Sequence, residues 1–257
     1  MPDKRARRVG LARALSKMGY CSRSQAAELI RGGRVRLNGA VRRDPETPVH
    51  LTTDRLEVDS RPVDSEKKIY LMLNKPRGLV TTASDEQGRD TIYSCLKEDL
   101  PWLAPVGRLD KASEGLLLLT NDSEWGAHIA DPENHFPKTY RVQISTIADA
   151  ALVETLKKGV RVEENEILRA KDAAILRQGE RNSWLSIDLD EGKNRQIRRM
   201  LEALDIEVLR LIRVAIGPLE LGDLPKGAYR GLTKEEVAAL EVGRRSTRTP
   251  MRAQNSS

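Results

Sequence analysis

The spacing of apolar residues changes abruptly within the first forty positions, and this change limits the possible folds. Residues 9–18 carry apolar side chains at helical spacing and are followed by a glycine. A second helix is predicted to start at Ser22, because Gln25 three residues later completes a capping-box pattern. Residues 35–37 then alternate between apolar and basic side chains, which is the period of a strand. The sequence therefore predicts a small helix–helix–strand module.

A hairpin follows this strand. Asn38-Gly39 is a strong two-residue turn signal, and it predicts a return strand near residues 40–42. A further strand is predicted at residues 56–58. Pro45, Pro48 and the charged stretch 59–68 are interpreted as loop and linker leading to a second domain.

Positive charge is concentrated in this module. The chain of 257 residues has a formal net charge of +6, but residues 1–43 carry 12 Lys and Arg against 2 acidic residues. Residues 44–243 have a net charge of −8, and residues 244–257 contain four Arg and no acid. A basic footprint on one small module is what phosphate recognition requires, although ordinary solvated helix faces are the alternative.

The alternation in the strand also positions guanidinium groups. If Val35 and Leu37 are buried, then Arg34 and Arg36 face solvent beside the helix that carries Arg23 and Arg31. The chain has only one Phe, three Trp and five Tyr, too few for a surface on which many bases stack. Any nucleic acid is therefore expected to be held by charge and groove shape.

The rest of the chain is predicted to form a mixed α+β domain, because strands outnumber helices and no regular βαβ rhythm appears. The predicted strands are residues 69–74, 116–119, 140–144, 184–189 and 209–215, and the predicted helices are residues 149–158 and 196–203. The polar, basic segment after residue 243 is expected to be a disordered tail.

Several classes of protein are made improbable by missing signals. No GK[ST] loop, G-x-G-x-x-G, G-x-S-x-G or H-E-x-x-H motif occurs, and the three histidines lack ligand spacing. We therefore expect no nucleotide cofactor and no metal. No apolar run is long enough to span a bilayer, so no membrane partner is expected. The two cysteines are too few for a disulfide scaffold, and this favours a reducing, cytoplasmic location.

Asp110 is the most conspicuous carboxylate in the chain. It lies in a polar, glycine-bounded loop directly before the run of four leucines, so it is expected to be fixed at the mouth of a buried strand. A cluster of basic residues, EGKNRQIRRM, occupies positions 191–200. If Arg198 faces inward, its guanidinium could hold Asp110 ionised. From these residues alone, a structural ion pair is as good an interpretation as a catalytic one.

Two resemblances sharpen this interpretation. The segment GYCSRSQAAELIRGGRVRLNG at 19–39 resembles the S4-type RNA-binding domain, which implies folded RNA as the partner. The motifs of the larger domain resemble those of the S4-domain-bearing rRNA pseudouridine synthases: YLMLNKPRGLVTT at 70–82, GRLD and EGLLLLTND within 107–122, KTYRV at 138–142, EGKNRQIRRM, and IGPLELGDLPKGAYRGLT at 216–233.

The resemblance implies a domain organisation. Residues 1–62 would be a small N-terminal S4-type RNA-binding domain and 63–68 a linker. Residues 69–243 would be a larger mixed-sheet catalytic domain, and 244–257 the basic tail.

The resemblance also implies roles for site residues. Asp110 matches the catalytic aspartate, Arg108 the arginine that enters the space left by the target base, and Tyr140 the tyrosine that packs against the flipped uracil. Arg198 matches the arginine that pairs with the aspartate. Related synthases often have histidine where this chain has Arg195. The expected RNA contacts are Arg13, Ser22, Arg23, Arg31, Arg34, Arg36, Asn38, Lys193 and Arg195.

The expected function is isomerisation of a uridine in ribosomal RNA, with the wording of the 191–200 motif favouring the large subunit. The reaction gains and loses no atoms, so no cofactor is expected. A flipped nucleotide is needed, because a stacked uridine is inaccessible. The expected partner is ribosomal RNA or a ribosome-assembly intermediate, bound by a monomer. The alternatives are a non-catalytic RNA-binding assembly factor and, with less support, an enzyme that handles bases in DNA.

Overall fold

The helix–helix–strand module is present as predicted in the computed structural model, which describes residues 8–64, 67–82 and 88–241. Ser22 caps the second helix: its Oγ accepts from the backbone N–H of Gln25 at 3.2 Å, and the Gln25 side chain accepts from the backbone N–H of Ser22 at 3.1 Å. The elements are β1 Val9–Gly10, α1 Leu11–Lys17, α2 Arg23–Arg31, β2 Val35–Leu37, β3 Ala40–Arg42, β4 Pro48–Val49, β5 Leu56–Val58 and β6 Arg61–Pro62.

The hairpin predicted at Asn38-Gly39 is also present. Both residues have positive φ, 52° and 81°, and Leu37 pairs directly with Ala40 across the turn. Two predicted loop segments are strands instead. Pro48 belongs to β4, which pairs with β1, and Arg61–Pro62 pairs with β5. Proline is tolerated in these positions because both strands lie at the edges of their sheets.

The second unit is built on a sheet of nine strands within the described residues. Its elements are β7 Tyr70–Lys75, β8 Ala104–Val106, β9 Glu114–Thr120, α3 Ser123–Ala130, β10 Lys138–Ile144, α4 Ala150–Lys158, β11 Val160–Glu163, β12 Glu166–Leu168, β13 Asp172–Gln178, β14 Ser183–Leu189, α5 Gln196–Glu202, β15 Val208–Ile216, β16 Leu219–Glu220, β17 Tyr229–Gly231 and α6 Lys234–Glu241. β11 and β12 form a separate hairpin. The predicted mixed α+β fold is confirmed.

The order of the large sheet places β10, β15 and β9 at its centre. The path runs β13-β14-β10-β15-β9-β7-β17, and β8 and β16 pair at the side with β9 and β15. The pair β9–β15 is parallel, whereas the other pairs along the path are antiparallel. All seven residues of β9 are buried, which explains its leucine run. The loop that carries Asp110 leads directly into this central strand.

The leucines of β9 pack into two apolar cores on opposite sides of the sheet. Leu116 and Leu118 pack with residues of α3, α6 and β16, and Leu117 and Leu119 pack with Ile92 and its neighbours. A third core lies under α4 and α5 against the other half of the sheet. Because each side of β9 is covered, the strand is fixed and its entry loop has a rigid base.

The small module contacts the larger unit through two helices. Lys17 at the end of α1 donates to Glu124 of α3 at 2.6 Å.

None of the helices in the described segments has the length and apolar character needed to cross a membrane. The tail predicted at 244–257 lies outside the described residues.

Candidate active site

The loop from residue 107 to residue 113 is held in place by hydrogen bonds that its backbone carbonyls accept. Lys75, at the end of β7, is fully buried, and its Nζ donates to the carbonyls of Asp110 at 3.2 Å and Ser113 at 2.9 Å. The same ammonium also donates to the carbonyl of Pro76 at 3.1 Å. Burial lowers the pKa of Lys75 to about 8, while the charges of Asp110, Cys95 and Glu114 act in the opposite direction.

The remaining carbonyls of this segment are bound from outside it. Thr81 Oγ1 donates to the carbonyl of Leu109 at 2.7 Å, and the backbone N–H of Gly78 donates to that of Lys111 at 2.7 Å. Arg198 Nη2 donates to the carbonyl of Ala112 at 3.1 Å. Each of the five carbonyls from residue 109 to residue 113 therefore accepts a hydrogen bond, and the backbone that carries Asp110 is fixed.

Asp110 makes an ion pair with Arg195, whose Nη1 lies 3.6 Å from Oδ2. The predicted pairing of Asp110 with Arg198 was wrong as a direct contact. The guanidinium of Arg198 is half-buried, and it binds the backbone carbonyls of Ala112 and Val208. Arg195 instead is the N-cap of α5, with a left-handed backbone (φ 50°), and it reaches the carboxylate.

Arg198 still acts on the aspartate electrostatically. Burial and the nearby Arg195 guanidinium lower the pKa of Arg198, whereas the charge of Asp110 raises it. Asp110 thus lies beside two guanidinium groups, one paired with it directly and one bound beneath its loop.

A cleft of about 600 Å³ opens in front of this loop. Five of the residues singled out in the sequence line it: Arg108, Asp110, Tyr140, Lys193 and Arg195. Arg198 lies behind the loop rather than among the lining residues. Tyr140 is half-buried on β10, and Arg108 is exposed at the rim. The structure therefore brings together the residues to which the resemblance assigned catalysis and base contact.

Two strand neighbours of the site were missed by sequence reasoning. Arg213 on β15 pairs across the sheet with Tyr140 on one side and with Gly115 of β9 on the other. The strands approach so closely that a Cβ on Gly115 would lie 2.2 Å from the carbonyl oxygen of Arg213. Lys138 lines the same cleft. Arg213 lies within the largely apolar β15 and Lys138 at the start of β10, and the sequence pattern at these positions indicates strands rather than a site.

Glu114 is a further missed residue, a carboxylate that is 2% exposed. Arg210 Nε donates to it at 3.2 Å, and Lys226 also forms an ion pair with it. Burial opposes ionisation, but the hydrogen bonds from Arg210 and Lys226 outweigh burial and lower the pKa of Glu114. The ion pair of the buried Glu114 with the partly exposed Arg210 ties β9 to β15.

The basic surface of the small module is only partly free. Arg13, Arg23, Arg31 and Arg36 are exposed, as expected for phosphate contacts. Arg34 is exposed but makes a two-bond ion pair with Asp59, with Nε donating at 2.8 Å and Nη2 bonding the second oxygen. The side chains of Ser22 and Asn38 make structural bonds: Ser22 caps α2, and Asn38 binds Asp54 and the backbone N–H of Arg55.

Within residues 8–64, 67–82 and 88–241, no three His, Cys, Asp or Glu side chains are grouped so that they could hold a metal ion. The two cysteines are both free thiols, and burial raises the pKa of Cys21 to about 11. The cleft is lined by carboxylates, guanidiniums, ammonium groups and a tyrosine.

Comparisons with known proteins agree with this geometry. The family described as RNA pseudouridylate synthase matches residues 69–203, and the S4 domain matches residues 9–56. The ribosomal large subunit pseudouridine synthase B of Bacillus subtilis (strain 168) is 37% identical over 234 residues, covering 90% of this chain and 95% of the relative. An uncharacterized RNA pseudouridine synthase of Aquifex aeolicus (strain VF5) is also 37% identical, covering 90% and 93%.

A solved structure described as a pseudouridylate synthase shares the fold. It is 30% identical, has a TM-score of 0.63, and the match covers 90% of this chain and 99% of that one. The fold and the cleft together define an RNA-modifying isomerase with an appended RNA-binding domain. The chain belongs to the RNA pseudouridine synthase family and carries an S4 domain. The resemblance predicted from the sequence motifs is therefore confirmed, and the non-catalytic alternative is disfavoured.

Proposed function

We propose that this protein converts a specific uridine of ribosomal RNA to pseudouridine, with Asp110 as the catalytic residue. The placement of the Asp110 carboxylate supports this proposal: it sits on a fixed loop, paired with Arg195, in a cleft that also contains Tyr140. The name of the Bacillus subtilis relative favours the large subunit as the source of the RNA.

The reaction requires one glycosidic bond to be exchanged for another. The bond between C1′ and N1 of uracil breaks, the ring turns, and a bond forms between C1′ and C5. The proton on C5 is lost and N1 gains one, so the atoms balance without a cofactor. The Asp110 carboxylate can attack C1′ or the ring as a nucleophile, or remove the 2′ proton of the ribose as a base.

We assign the other cleft residues to flipping and holding the base. We assign Arg108, exposed at the rim, to the gap that the flipped uridine leaves, and Tyr140, on the wall, to contact with the uracil ring. Lys193 and Arg195 lie on the same side of the cleft and would contact RNA phosphates. Arg198 is assigned a positioning role through the carbonyl of Ala112.

The small module would hold RNA through exposed arginines. We propose the division into an S4-type domain at 1–62, a linker at 63–68, a catalytic domain at 69–243 and a basic tail at 244–257. The end of β6 at Pro62 and the start of β7 at Tyr70 support the first two boundaries. We further propose that the protein acts as a monomer in the cytoplasm, on ribosomal RNA or an assembly intermediate.

The proposal is tested by mapping pseudouridines in ribosomal RNA from a strain that lacks the protein. One site should disappear, and it should return with the wild-type chain but not with Asp110→Asn. Asp99→Asn, a change at an exposed aspartate outside the cleft, is the matched control and should restore the site. Purified Asp110→Asn should still bind the RNA. An unchanged pseudouridine map, or turnover by Asp110→Asn, would contradict the proposal.

A further inference from the structure

The wall of the cleft contains a guanidinium, that of Arg213, with an N–H group left unpaired by the described residues. Arg213 is 5% exposed, and its Nε donates to the backbone carbonyl of Leu116 at 2.8 Å. Its Nη2 is buried and has no hydrogen-bond partner among the described residues. A buried, charged N–H group without an acceptor is costly, and native proteins keep such groups where a ligand or an ordered molecule supplies the acceptor.

A second cation lies beside it. Lys138 lines the same cleft, and burial together with the charge of Arg213 lowers the pKa of Lys138. Asp190 attracts this ammonium, but Asp190 Oδ1 already accepts a hydrogen bond from Lys171 at 2.8 Å. Two adjacent cations that repel each other in a partly desolvated wall are stabilised by an anion between them.

The charge of the whole cleft agrees with an anionic ligand. Among the residues that line it, five are cationic (Arg108, Lys138, Lys193, Arg195 and Arg213) and two are carboxylates (Asp110 and Glu191). The carboxylate of Asp110 is paired with Arg195, and among the described residues no ion pair joins it to Arg213 or Lys138. The positive charge of these two residues is therefore not neutralised by Asp110.

The position of Arg213 and Lys138 relative to Tyr140 indicates the chemical class of the anion. Arg213 is the direct cross-strand neighbour of Tyr140, and Lys138 lies two residues before Tyr140 on β10. A nucleotide whose base contacts Tyr140 has its own phosphates within reach of these two neighbouring residues. The fork of a guanidinium matches the two free oxygens of a phosphodiester.

We propose that Arg213 and Lys138 form a phosphate subsite that binds the backbone phosphate of the flipped uridine. This inference rests on the proposed function, because it takes the uridine in the cleft as given. In this subsite Arg213 Nη2 donates to one phosphate oxygen, and the ammonium of Lys138 balances the charge. The subsite fixes the ribose relative to Asp110 and contributes binding that is independent of the base sequence.

Binding of mononucleotides to the full chain tests this subsite without any turnover. Uridine, uridine 3′-monophosphate, uridine 5′-monophosphate and inorganic phosphate are titrated separately and followed by NMR. At least one of the two monophosphates should bind about tenfold more tightly than uridine. That advantage should be lost in Arg213→Gln and partly kept in Arg213→Lys.

Matched variants separate this role from a general effect of charge or folding. Arg141→Gln changes an exposed arginine on the same strand as Tyr140, outside the cleft lining, and should keep the full advantage. Thermal unfolding checks each variant. If Arg213→Gln does not fold, Lys138→Gln replaces it, and it should lower the advantage of the monophosphate.

Other outcomes would overturn the subsite. Equal binding of uridine and both monophosphates by the wild-type chain would do so, as would an advantage that survives in Arg213→Gln. Equal weakening of uridine and monophosphates in Arg213→Gln would indicate a contact to the base instead. Inorganic phosphate binding as tightly as the monophosphates would indicate a free-anion site. The pseudouridine map can fail while the monophosphate preference holds, so the two proposals fail separately.

Discussion

Lys75 Nζ lies 3.2 Å from the backbone carbonyl oxygen of Asp110, so a buried ammonium supports the proposed catalytic residue through its main chain. The same ammonium bonds the carbonyl of Ser113 at the start of the central strand. The side chain of Asp110 is left to face the cleft and Arg195. Support of the loop and chemistry in the cleft are therefore carried by different groups of one residue.

The pKa of Lys75 predicts a specific pH dependence of stability. Burial lowers this pKa to about 8 from an ordinary value of 10.5. Between those two pH values the unfolded chain binds more protons at this lysine than the folded chain, so its contribution to stability rises with pH. The rise amounts to about 3 kcal/mol over the whole window.

Urea unfolding of the wild type and of Lys75→Met between pH 7.5 and 10.5 measures this contribution. The free energy of unfolding of the wild type should increase relative to that of Lys75→Met as pH rises. Because the tyrosines and cysteines titrate in both proteins, their effects cancel in the difference. A difference that stays constant with pH would show that the ammonium is not destabilised by burial.

Gly115→Ala should damage both stability and activity. Gly115 has φ +103°, and the new Cβ would lie 2.2 Å from the backbone oxygen of Arg213, so the parallel pair of β9 and β15 must open. We expect a loss of about 3 kcal/mol in chemical unfolding, from strain and overpacking together. Gly222→Ala is the matched control, since Gly222 has φ +58° but open space around it, and should cost about 1 kcal/mol. Equal losses at both glycines would contradict the close approach.

Arg195 and Arg198 should have separable roles. Arg195→Gln removes a largely exposed ion pair with Asp110, so thermal stability should hardly change while single-turnover activity falls at least about tenfold. Arg198→Gln removes the donor to the carbonyls of Ala112 and Val208, so it should lower stability by about 1–3 kcal/mol as well as activity. Equal stability losses in the two variants would show that the division of roles is wrong.

Salt dependence should distinguish the free arginines of the small module from the paired one. Replacing Arg23, Arg31 and Arg36 with glutamine together should reduce the slope of log affinity for RNA against log salt by about 2–3, since each exposed cation releases counterions. Arg34→Gln should reduce it by clearly less than a third of that, because Asp59 already neutralises this guanidinium. Filter binding at several salt concentrations measures both. A slope unchanged in the triple variant would remove these residues from the RNA contact.

Much of the fold could be predicted from the sequence because its signals are local. The capping box at Ser22 and the Asn38-Gly39 turn depend on neighbours three or fewer residues apart, and both are present. The leucine run predicted a buried strand, which extends by two residues at its start because Glu114 is buried by ion pairs and Gly115 by a close strand contact. The short edge strand at Pro48 was missed because it pairs with β1, which is distant in sequence. The strand at Arg61 pairs with the preceding β5, and it was missed because its proline and charged residues indicate a loop.

The site could be predicted in its membership but not in its contacts. Asp110 and Tyr140 do share a cleft. The partner of the aspartate could not be predicted, because it depends on the left-handed backbone at Arg195, which helical periodicity does not indicate. Lys75 and Arg213 were missed for a related reason. Lys75 ends an apolar strand and Arg213 lies within one, and only the three-dimensional arrangement shows which carbonyls they bind.

The five carbonyls from residue 109 to residue 113 are gripped from outside, so the loop keeps its shape whatever side chain position 110 carries. A substitution at position 110 is therefore expected to remove activity without unfolding the chain. Under the proposed function, an Asp110→Asn protein would still bind its RNA without converting it, so crosslinking and sequencing of the bound RNA would locate the substrate site.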